Sequence, residues 1–319
     1  MDSAKDTNSL SPIVKKVEEF LDYLRVEKGS SPLTIRKYRH YLILFDNGLT
    51  SKNSNHDLKD INQEIVHDYR LYLSQLPDRK GGILNRRTQS YHAIALRSFL
   101  KWLIKNDFEV LAPDKIDLPK VSEREVKFLS GEHVERLLNA PTMSNIQGVR
   151  DKAILELLFS TGLRVSELVK LDRDKMNFDS REFGVVGKGG KARVVFISQR
   201  AADFLKKYIG QRSDHFKPLF IRHKGHIEPT TADEKMRLTP RSIQRMVKKY
   251  VRKIKLPVDA TPHVLRHSFA TDLLMAGADL RSVQEMLGHK NVSTTQIYTH
   301  VTNKQLKDIH ESFHGRGGK

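Results

Sequence analysis

Apolar residues recur with a helical period in the first third of the chain. Two segments carry them at the i, i+3, i+4, i+7 spacing of an amphipathic helix. They are Val17, Phe20, Leu21 and Leu24 in one segment and Ile35, Tyr38, Leu42 and Phe45 in the other. Ser31-Pro32 offers the second segment a capping side chain and a first-turn proline. A third helix is predicted from Thr88 to Leu103, which makes residues 1–108 an all-helical domain.

The periodic pattern stops after this domain. Residues 109–124 contain Pro113 and Pro119 and keep no consistent period, so we interpret them as a linker. Ser130 is a suitable N-cap for the next helix. A second domain is therefore expected at residues 125–319.

The second domain combines helical and strand patterns. An apolar helix over residues 151–159 is expected to end at Gly162, where glycine permits the chain to turn. Two β-rich runs, residues 182–186 and 192–197, flank the glycine-rich segment 187–191, which is typical of a hairpin. The turn lacks the spacing of a phosphate-binding P-loop, so no ATP site is expected there.

Residues 221–237 are polar and irregular, and they predict a mobile surface loop. Thr239-Pro240 then caps a further helix, whose apolar face consists of Ile243, Met246, Val247 and Val251. With one hairpin among many helices, the predicted fold class is mainly α with a small β-sheet.

The charge balance points to a polyanionic partner. The chain of 319 residues has 56 Lys and Arg against 38 Asp and Glu, a formal net charge of +18. A solvated surface explains any single basic residue as well as DNA contact does, but the joint excess favours DNA phosphates. We assign DNA contact to Arg36, Lys37, Arg39, Arg86, Arg87, Lys191 and Arg241.

The chain contains no cysteine, which excludes disulfides, thiolate nucleophiles and Cys-ligated metal centres. The amino terminus lacks the pattern of a secretory leader, and the longest apolar runs are too short to span a bilayer. No basic amphipathic helix is visible at a terminus, so nucleic acid is a better partner than a membrane face. We expect a cytoplasmic, nucleoid-associated protein.

The segment from Thr261 to Asp272 carries the first candidate chemistry. Thr261 and Pro262 suit the N-cap and first position of a helix, so His263, Arg266 and His267 share a face near its positive end. That arrangement suits a phosphate. Paired histidines also occur in zinc helices, but Val264 stands where the metalloprotease pattern needs Glu, so no metal is expected.

Two short helices are predicted in the last part of the chain. Gly277 and Gly288 bound the first, which places His289 in the turn directly after it. The second, residues 293–300, carries Tyr298. By themselves these helices would also fit a helix-turn-helix that only docks on DNA, with Tyr298 as a packing residue.

Five blocks in order along the chain resemble the tyrosine recombinases, most of all their Xer-type members. The blocks are Thr161–Leu168, the hairpin turn Gly187–Lys191, His263-x-Leu265-Arg266-His267, Leu287-Gly288-His289 and Thr294–His300. The resemblance implies a helical, SAM-like core-binding domain and a catalytic domain that form a C-shaped clamp around duplex DNA. It also implies a catalytic set of Arg164, Lys188, His263, Arg266, His289 and the nucleophile Tyr298.

The chemistry of these residue types fits such a site. A phosphodiester gains negative charge as it is attacked, so two guanidiniums, Arg164 and Arg266, are suited to hold it without a metal ion. Tyr298 must lose a proton from a phenol whose reference pKa is about 10, and His263 is the candidate base. Lys188 is the candidate acid for the leaving 5′-oxygen, with Lys191 as the less favoured alternative.

The remaining assignments concern supporting groups and assembly. Glu167, one turn after Arg164, is expected to orient that arginine, and His267 has a supporting role. Residues 304–313 predict an amphipathic terminal helix, which packs on its own chain or, as the resemblance implies, on a neighbouring subunit of a DNA-bound tetramer. That tetramer is of one chain or of two related recombinases.

A phosphotyrosyl bond retains the energy of the broken phosphodiester, so strand exchange needs no cofactor. The favoured hypothesis is a site-specific DNA recombinase, with a type IB topoisomerase-like enzyme and an architectural DNA-binding protein as alternatives. Chromosome-dimer resolution in chromosome segregation, mobile-element integration and cassette exchange all stay open.

Overall fold

The computed structural model describes residues 11–50, 57–78, 81–119, 127–187, 190–223, 225 and 232–288. The chain divides into two compact units, Met1–Arg124 and Glu125–Lys319. The structure confirms the predicted fold class, since it is mainly helical and contains one small sheet. In the described parts of the chain, no helix combines the length and the apolar composition that a membrane crossing requires.

The described part of the first unit contains four α-helices. They are α1 (Pro12–Val26), α2 (Pro32–Thr50), α3 (Gln63–Gln75) and α4 (Arg86–Lys105), with a 3-10 turn at Leu58–Asp60. The predicted apolar stripes of α1 and α2 face the core, and Ser31 accepts a hydrogen bond from the Thr34 amide as predicted. Helix α3 was not predicted, because its inward residues Val66, Tyr69 and Leu73 form an incomplete stripe, with the polar Arg70 at the i+4 position.

The first half of the expected linker packs against the first unit. Pro113–Lys115 forms a 3-10 turn, and the next residue, Ile116, is only 1% exposed within the core of this unit. Val110 and Leu111 pack against the same core. Buried Ile116 and the partly buried Val110 and Leu111 therefore attach this stretch to the first unit, and residues 120–124 lie outside the described part of the chain.

The second unit is built around α6, a helix buried on nearly every side. Its described elements are α5 (Gly131–Leu138), α6 (Ile146–Thr161), α7 (Val165–Leu168), β1 (Glu182–Val186), β2 (Ala192–Phe196), α8 (Gln199–Gly210), α9 (Asp233–Met236), α10 (Pro240–Lys253), α11 (Pro262–Met275) and α12 (Leu280–Leu287). Helix α6 packs against α8 and α11, and α12 packs against α11 and β2. These contacts bring α11 and α12 to the carboxyl end of α6.

The predicted hairpin is present. Strands β1 and β2 are antiparallel, with Glu182 opposite Phe196 and Val186 opposite Ala192. Phe183, Val185 and Val195 face the core of the unit, which attaches the hairpin to the helices.

The prediction of an irregular loop over residues 221–237 is wrong at its ends. Ile221 and Arg237 form an antiparallel bridge, and α9 buries Met236 against Phe216 and Ile221. These few apolar residues fix both ends of the segment, while residues 226–231 lie outside the described part of the chain.

Candidate active site

The turn between α6 and α7 creates the first part of the site. Gly162 ends α6 with a left-handed φ of 58°. A Cβ at this position would overlap Phe269 and would lie 2.8 Å from its Cε1 and 3.0 Å from Leu287 Cδ2. Only glycine therefore fits both the backbone conformation and the packing. The predicted glycine stop is confirmed. The turn that it permits places Arg164 at the N-cap position of α7.

Arg164 is held by groups from two elements. Its Nη1 donates to Glu167 Oε1 at 2.9 Å, and its Nη2 donates to the backbone carbonyl of Gly288 at 3.3 Å. The side chain keeps 26% of its surface exposed. The guanidinium is thus oriented by the chain and still accessible from solvent.

Glu167 receives hydrogen bonds from two arginines. It accepts from the backbone amide and Nη1 of Arg164, and from Nη1 and Nη2 of Arg193 at 3.2 and 2.8 Å. Burial alone would raise the pKa of Glu167, but the hydrogen bonds from Arg193 and Arg164 outweigh it and lower the pKa to about 2. Glu167 is therefore ionised, and the trio of two guanidiniums and one carboxylate keeps a net positive charge.

Arg266 lies on α11, where Thr261 caps the helix as predicted by accepting from the Val264 amide at 3.3 Å. The side chain is buried, at 5% exposure. Its Nη1 donates to the Gly162 carbonyl at 2.6 Å and its Nη2 to the Leu287 carbonyl at 2.7 Å. Both acceptors are carbonyls at the carboxyl ends of helices, which lack intrahelical donors and favour a cation.

The two arginines converge on one end of α12. Arg266 binds the carbonyl of Leu287, and Arg164 binds the carbonyl of the next residue, Gly288. Gly288 has a left-handed φ of 64°, which confirms the predicted glycine stop. His289 follows Gly288 directly in the chain, so the backbone that leads to His289 is bonded to both guanidiniums.

Two histidines of α11 lie in the field of these cations. Burial lowers the pKa of His263 below its ordinary value, and the positive charges of Arg266 and Arg164 lower it further. Burial, together with His263 and Arg266, lowers the pKa of His267 to about 4. Both imidazoles are therefore neutral near pH 7, and a neutral imidazole can accept a proton.

Arg193 is a site residue that sequence reasoning missed. It lies on β2, and its side chain is only 12% exposed. Besides its two bonds to Glu167, its Nε donates to the Met286 carbonyl at 3.2 Å. The sequence carries one signal, a single arginine in an otherwise apolar strand, but the partners of Arg193 lie 26 and 93 residues away in the chain.

Three of the predicted catalytic residues, Lys188, His289 and Tyr298, lie outside the described residues. The neighbouring Lys191 is described and exposed. Its carbonyl accepts from the Gly187 amide at 2.8 Å, which closes the hairpin turn at its base. The structure therefore defines both ends of the turn that contains Lys188.

The residues predicted to contact DNA lie at the surface of their own units. In the first unit Arg36, Lys37 and Arg86 are exposed, Arg87 is half-buried, and exposed Arg39 donates to Glu18 Oε1 at 2.8 Å. In the second unit Arg241 is exposed near the start of α10.

Helix α10 carries further exposed basic residues that the sequence analysis did not assign to DNA contact. Arg245, Lys248 and Arg252 follow Arg241 at i+4, i+7 and i+11, and all four are exposed. The spacing itself was a signal that the sequence analysis did not use. One face of α10 is thus lined with cations, which we call the α10 basic face: Arg241, Arg245, Lys248 and Arg252.

Among the described residues, no group of three His, Cys, Asp or Glu side chains could hold a metal ion. On α11 the buried Arg266 lies between the two histidines in the sequence, and its positive charge, which lowers the pKa of both, opposes a cation there.

Comparison with protein families gives two matches that together span most of the chain. Residues 127–305 match the phage integrase family, and residues 17–107 match the phage integrase N-terminal SAM-like domain. The first match includes the arginines, Glu167 and the two histidines described above.

Similar proteins match over nearly their whole length. Tyrosine recombinase XerC of Pelotomaculum thermopropionicum is 36% identical over 302 residues, covering 94% of this chain and 98% of that protein. Tyrosine recombinase XerD of Listeria innocua is 35% identical over 308 residues, covering 94% and 98%.

Solved structures share the fold. The XerH site-specific recombinase bound to palindromic difH substrate in a post-cleavage complex has a TM-score of 0.68 at 22% identity, covering 93% of this chain and 84% of that chain. The Tn1549 transposon integrase in complex with a circular intermediate DNA has a TM-score of 0.70 at 17% identity, covering 94% and 100%.

Proposed function

The chain belongs to the phage integrase family and is a tyrosine recombinase, and from that premise we propose that it recombines duplex DNA through a covalent bond between Tyr298 and a 3′-phosphate. One observation carries the proposal for the catalytic centre. Arg164 and Arg266 converge on consecutive carbonyls at the end of α12, those of the two residues that precede His289 in the sequence.

The two arginines would bind the scissile phosphate. Arg266 is fixed by two buried carbonyls and Arg164 by Glu167, so neither guanidinium has to reorganise when charge develops on the phosphate oxygens. Preorganised donors of this kind are usually the largest contribution to such catalysis. His289 would add a further hydrogen bond to the phosphate.

In the cleavage step one bond to phosphorus forms, another breaks, and two protons move. The phenolic oxygen of Tyr298 attacks phosphorus, its proton passes to His263, and the bond from phosphorus to the 5′-oxygen breaks. The lowered pKa of His263 supports this role, since the imidazole is neutral and free of a proton on one nitrogen before the reaction. The leaving 5′-oxygen takes a proton from Lys188, in the turn closed by Gly187 and Lys191.

The same intermediate permits exchange. A 5′-hydroxyl from a second duplex gives its proton to Lys188 and attacks phosphorus, the bond from phosphorus to the oxygen of Tyr298 breaks, and Tyr298 regains its proton from His263. Exchange in both strands requires two DNA sites in one complex, for which we propose a tetramer joined through residues 304–313. The tetramer consists of four copies of this chain or of this chain with a related recombinase.

DNA binding is assigned to both units. Residues 1–108 would contact the core of the site through Arg36, Lys37, Arg39, Arg86 and Arg87. In the catalytic domain, residues 125–319, the α10 basic face has the width of a single helix, which the major groove of B-DNA admits. XerH and the Tn1549 integrase, which share this fold, are bound to DNA in their structures.

A nicked suicide duplex tests the nucleophile. After cleavage the short strand diffuses away, so the covalent complex accumulates and migrates slowly on a denaturing gel. We expect the wild type to form this complex on Tyr298, as peptide mapping would show, and Tyr298→Phe to bind DNA with unchanged affinity but to form none. Tyr23→Phe removes a hydroxyl from the first unit and is the matched control. A complex formed by Tyr298→Phe, or mapped to another residue, refutes the assignment.

A further inference from the structure

Arg193 joins three elements of the catalytic domain. It lies on β2, shortly after the hairpin turn, and all three guanidinium nitrogens are engaged. Nη1 and Nη2 bind the two oxygens of Glu167, which also holds Arg164, and Nε binds the Met286 carbonyl near the end of α12. The hairpin, α7 and α12 are therefore connected through one side chain.

The surrounding backbone fits this side chain closely. A Cβ on Gly288 would lie 3.1 Å from Arg193 Cδ and Nη1, and a Cβ on Gly187 would lie 3.4 Å from Nη1. Glycine thus stands on both sides of the guanidinium, at the base of the hairpin turn and at the end of α12. The pair of bonds to Glu167 is a parallel, two-pronged arrangement, which lysine cannot reproduce.

We propose that Arg193 is a positioning residue that sets the hairpin turn bearing Lys188 relative to Arg164, acting through Glu167. The proposal rests on the proposed function, because it gives Lys188 the role of proton donor. Both ends of the turn are close to Arg193: Gly187 lies beside its guanidinium, and Lys191 is two residues before it and bonded to Gly187. Loss of Arg193 would remove the hydrogen bonds that connect the base of the turn to α7 and α12, and would leave the hairpin held by its strand pairing and its core side chains.

The consequence for catalysis is specific. Misplacement of a reacting group by about 1 Å can cost about a hundredfold in rate. If Arg193 only stabilised the fold, its loss would affect cleavage of every substrate equally. If it positions the proton donor, its loss affects only the substrates whose leaving group needs a proton.

The test compares two suicide duplexes that differ in one atom. In one the scissile bond has its normal 5′-oxygen, and in the other a sulfur bridges phosphorus and the 5′-carbon. A thiolate leaves without taking a proton because its conjugate acid is far stronger than an alcohol. We expect Arg193→Gln to cleave the oxygen duplex about a hundredfold more slowly than wild type and the sulfur duplex within a few-fold of wild type. Arg193→Lys keeps the charge without the two-pronged contact and should show the same pattern, with a smaller loss.

Three variants calibrate the result. The sulfur duplex should restore cleavage by Lys188→Ala to near the wild-type rate. It should not restore cleavage by Arg164→Ala, because Arg164 is proposed to bind the phosphate. Arg200→Gln is the structural control: Arg200 donates to Glu135 and the buried Glu156 in the same domain, outside the proposed site. It should cleave both duplexes at the wild-type rate when the folded fraction, measured by thermal unfolding, is equal.

Several outcomes overturn the proposal. Wild-type cleavage of the oxygen duplex by Arg193→Gln, or an equal loss on both duplexes, would show that Arg193 does not position the donor. Should Arg193→Gln fail to fold, Arg193→Lys decides by the same criterion. If the sulfur duplex does not restore cleavage by Lys188→Ala, Lys188 is not the proton donor and the proposal for Arg193 is refuted. The assignment of Tyr298 as nucleophile would be unaffected by that result. A wild type that forms no adduct with either duplex refutes the proposed function itself.

Discussion

Arg266 donates from Nη2 to the carbonyl of Leu287 at 2.7 Å, although 21 residues separate the two along the chain. The bond lies in the interior and joins α11 to the last residue of α12. Since Nη1 of the same guanidinium binds the Gly162 carbonyl, Arg266 connects the carboxyl ends of α6 and α12. A residue chosen from the sequence for its charge thus also serves the packing of the domain.

This double role predicts two losses in Arg266→Ala. Removal of an oxyanion donor costs about a hundredfold or more in turnover, and the two buried hydrogen bonds from a charged group are worth about 1.5–3 kcal/mol each. We expect single-turnover cleavage to fall by at least about a hundredfold and the free energy of unfolding to fall by about 3 kcal/mol or more.

Arg266→Lys separates the two losses. It keeps a positive charge but cannot bind both carbonyls in the same geometry. Cleavage measured without denaturant should be lost in Arg266→Lys. Urea unfolding, measured in parallel, should give this variant a free energy of unfolding between those of the wild type and Arg266→Ala. Normal turnover in either variant would contradict the phosphate clamp.

Gly162→Ala is expected to destabilise the protein by about 2–5 kcal/mol. A left-handed conformation costs a residue other than glycine about 1–2 kcal/mol, and overpacking of a core adds about 1–3 kcal/mol. Gly29 is the matched control because its φ of 55° is almost the same, while a Cβ there meets nothing within 4 Å. Gly29→Ala should therefore lose only the backbone part, as denaturant unfolding would show. Equal losses in the two variants would mean that Phe269 adapts without cost.

The local features of the fold could be predicted from the sequence. Helix caps and glycine stops depend on residues within one turn, so they can be recognised in a single sequence. The examples are the N-caps Ser31, Ser130 and Thr261 and the glycine stops at Gly162 and Gly288. Helical periods and the hairpin pattern are equally local. These signals sufficed for the fold class and for the positions of Arg164 and Arg266 along their elements.

The contacts between distant segments could not be predicted. The sequence places Arg266 on a helix but does not reveal that backbone carbonyls of α6 and α12 will surround it. The role of Arg193 could not be predicted because it depends on contacts with Glu167 and Met286, which the packing of α12 on β2 brings together. At the ends of residues 221–237 a few isolated apolar side chains, such as Met236, decide the packing, and such isolated residues produce no periodic pattern.

Buried His92 predicts a pH dependence of stability in the first unit. Its Nδ1 lies 2.9 Å from the Tyr69 hydroxyl, and burial followed by the charge of His40 lowers the pKa of His92 to about 4. The unfolded chain binds a proton near the ordinary value of about 6.5, so stability is full above that pH and falls as the pH drops towards about 4. Within this window each pH unit costs up to about 1.4 kcal/mol for a buried histidine.

The single tryptophan makes this dependence measurable in the full chain. Trp102 lies on α4 against the core of the first unit, so its fluorescence reports the unfolding of the unit that contains His92. Urea unfolding at a series of pH values should show a weaker pH dependence for His92→Asn, which keeps a polar atom near Nδ1 but does not titrate. Parallel curves for the wild type and His92→Asn would refute the assignment.

The α10 basic face predicts a specific change in the salt dependence of DNA binding. Each phosphate contact contributes about 0.9 to the slope of log K against log salt, because binding releases condensed counterions. The double variant Arg245→Gln with Lys248→Gln removes two adjacent cations of this face and should reduce the slope by about 1.8, as a fluorescence anisotropy titration at several salt concentrations would measure. Lys207→Gln, an exposed lysine on α8 of the same unit, is the control and should leave the slope unchanged. If the double variant keeps the wild-type slope, α10 does not lie against the DNA backbone; if Lys207→Gln lowers it as much, the effect comes from net charge and not from this face.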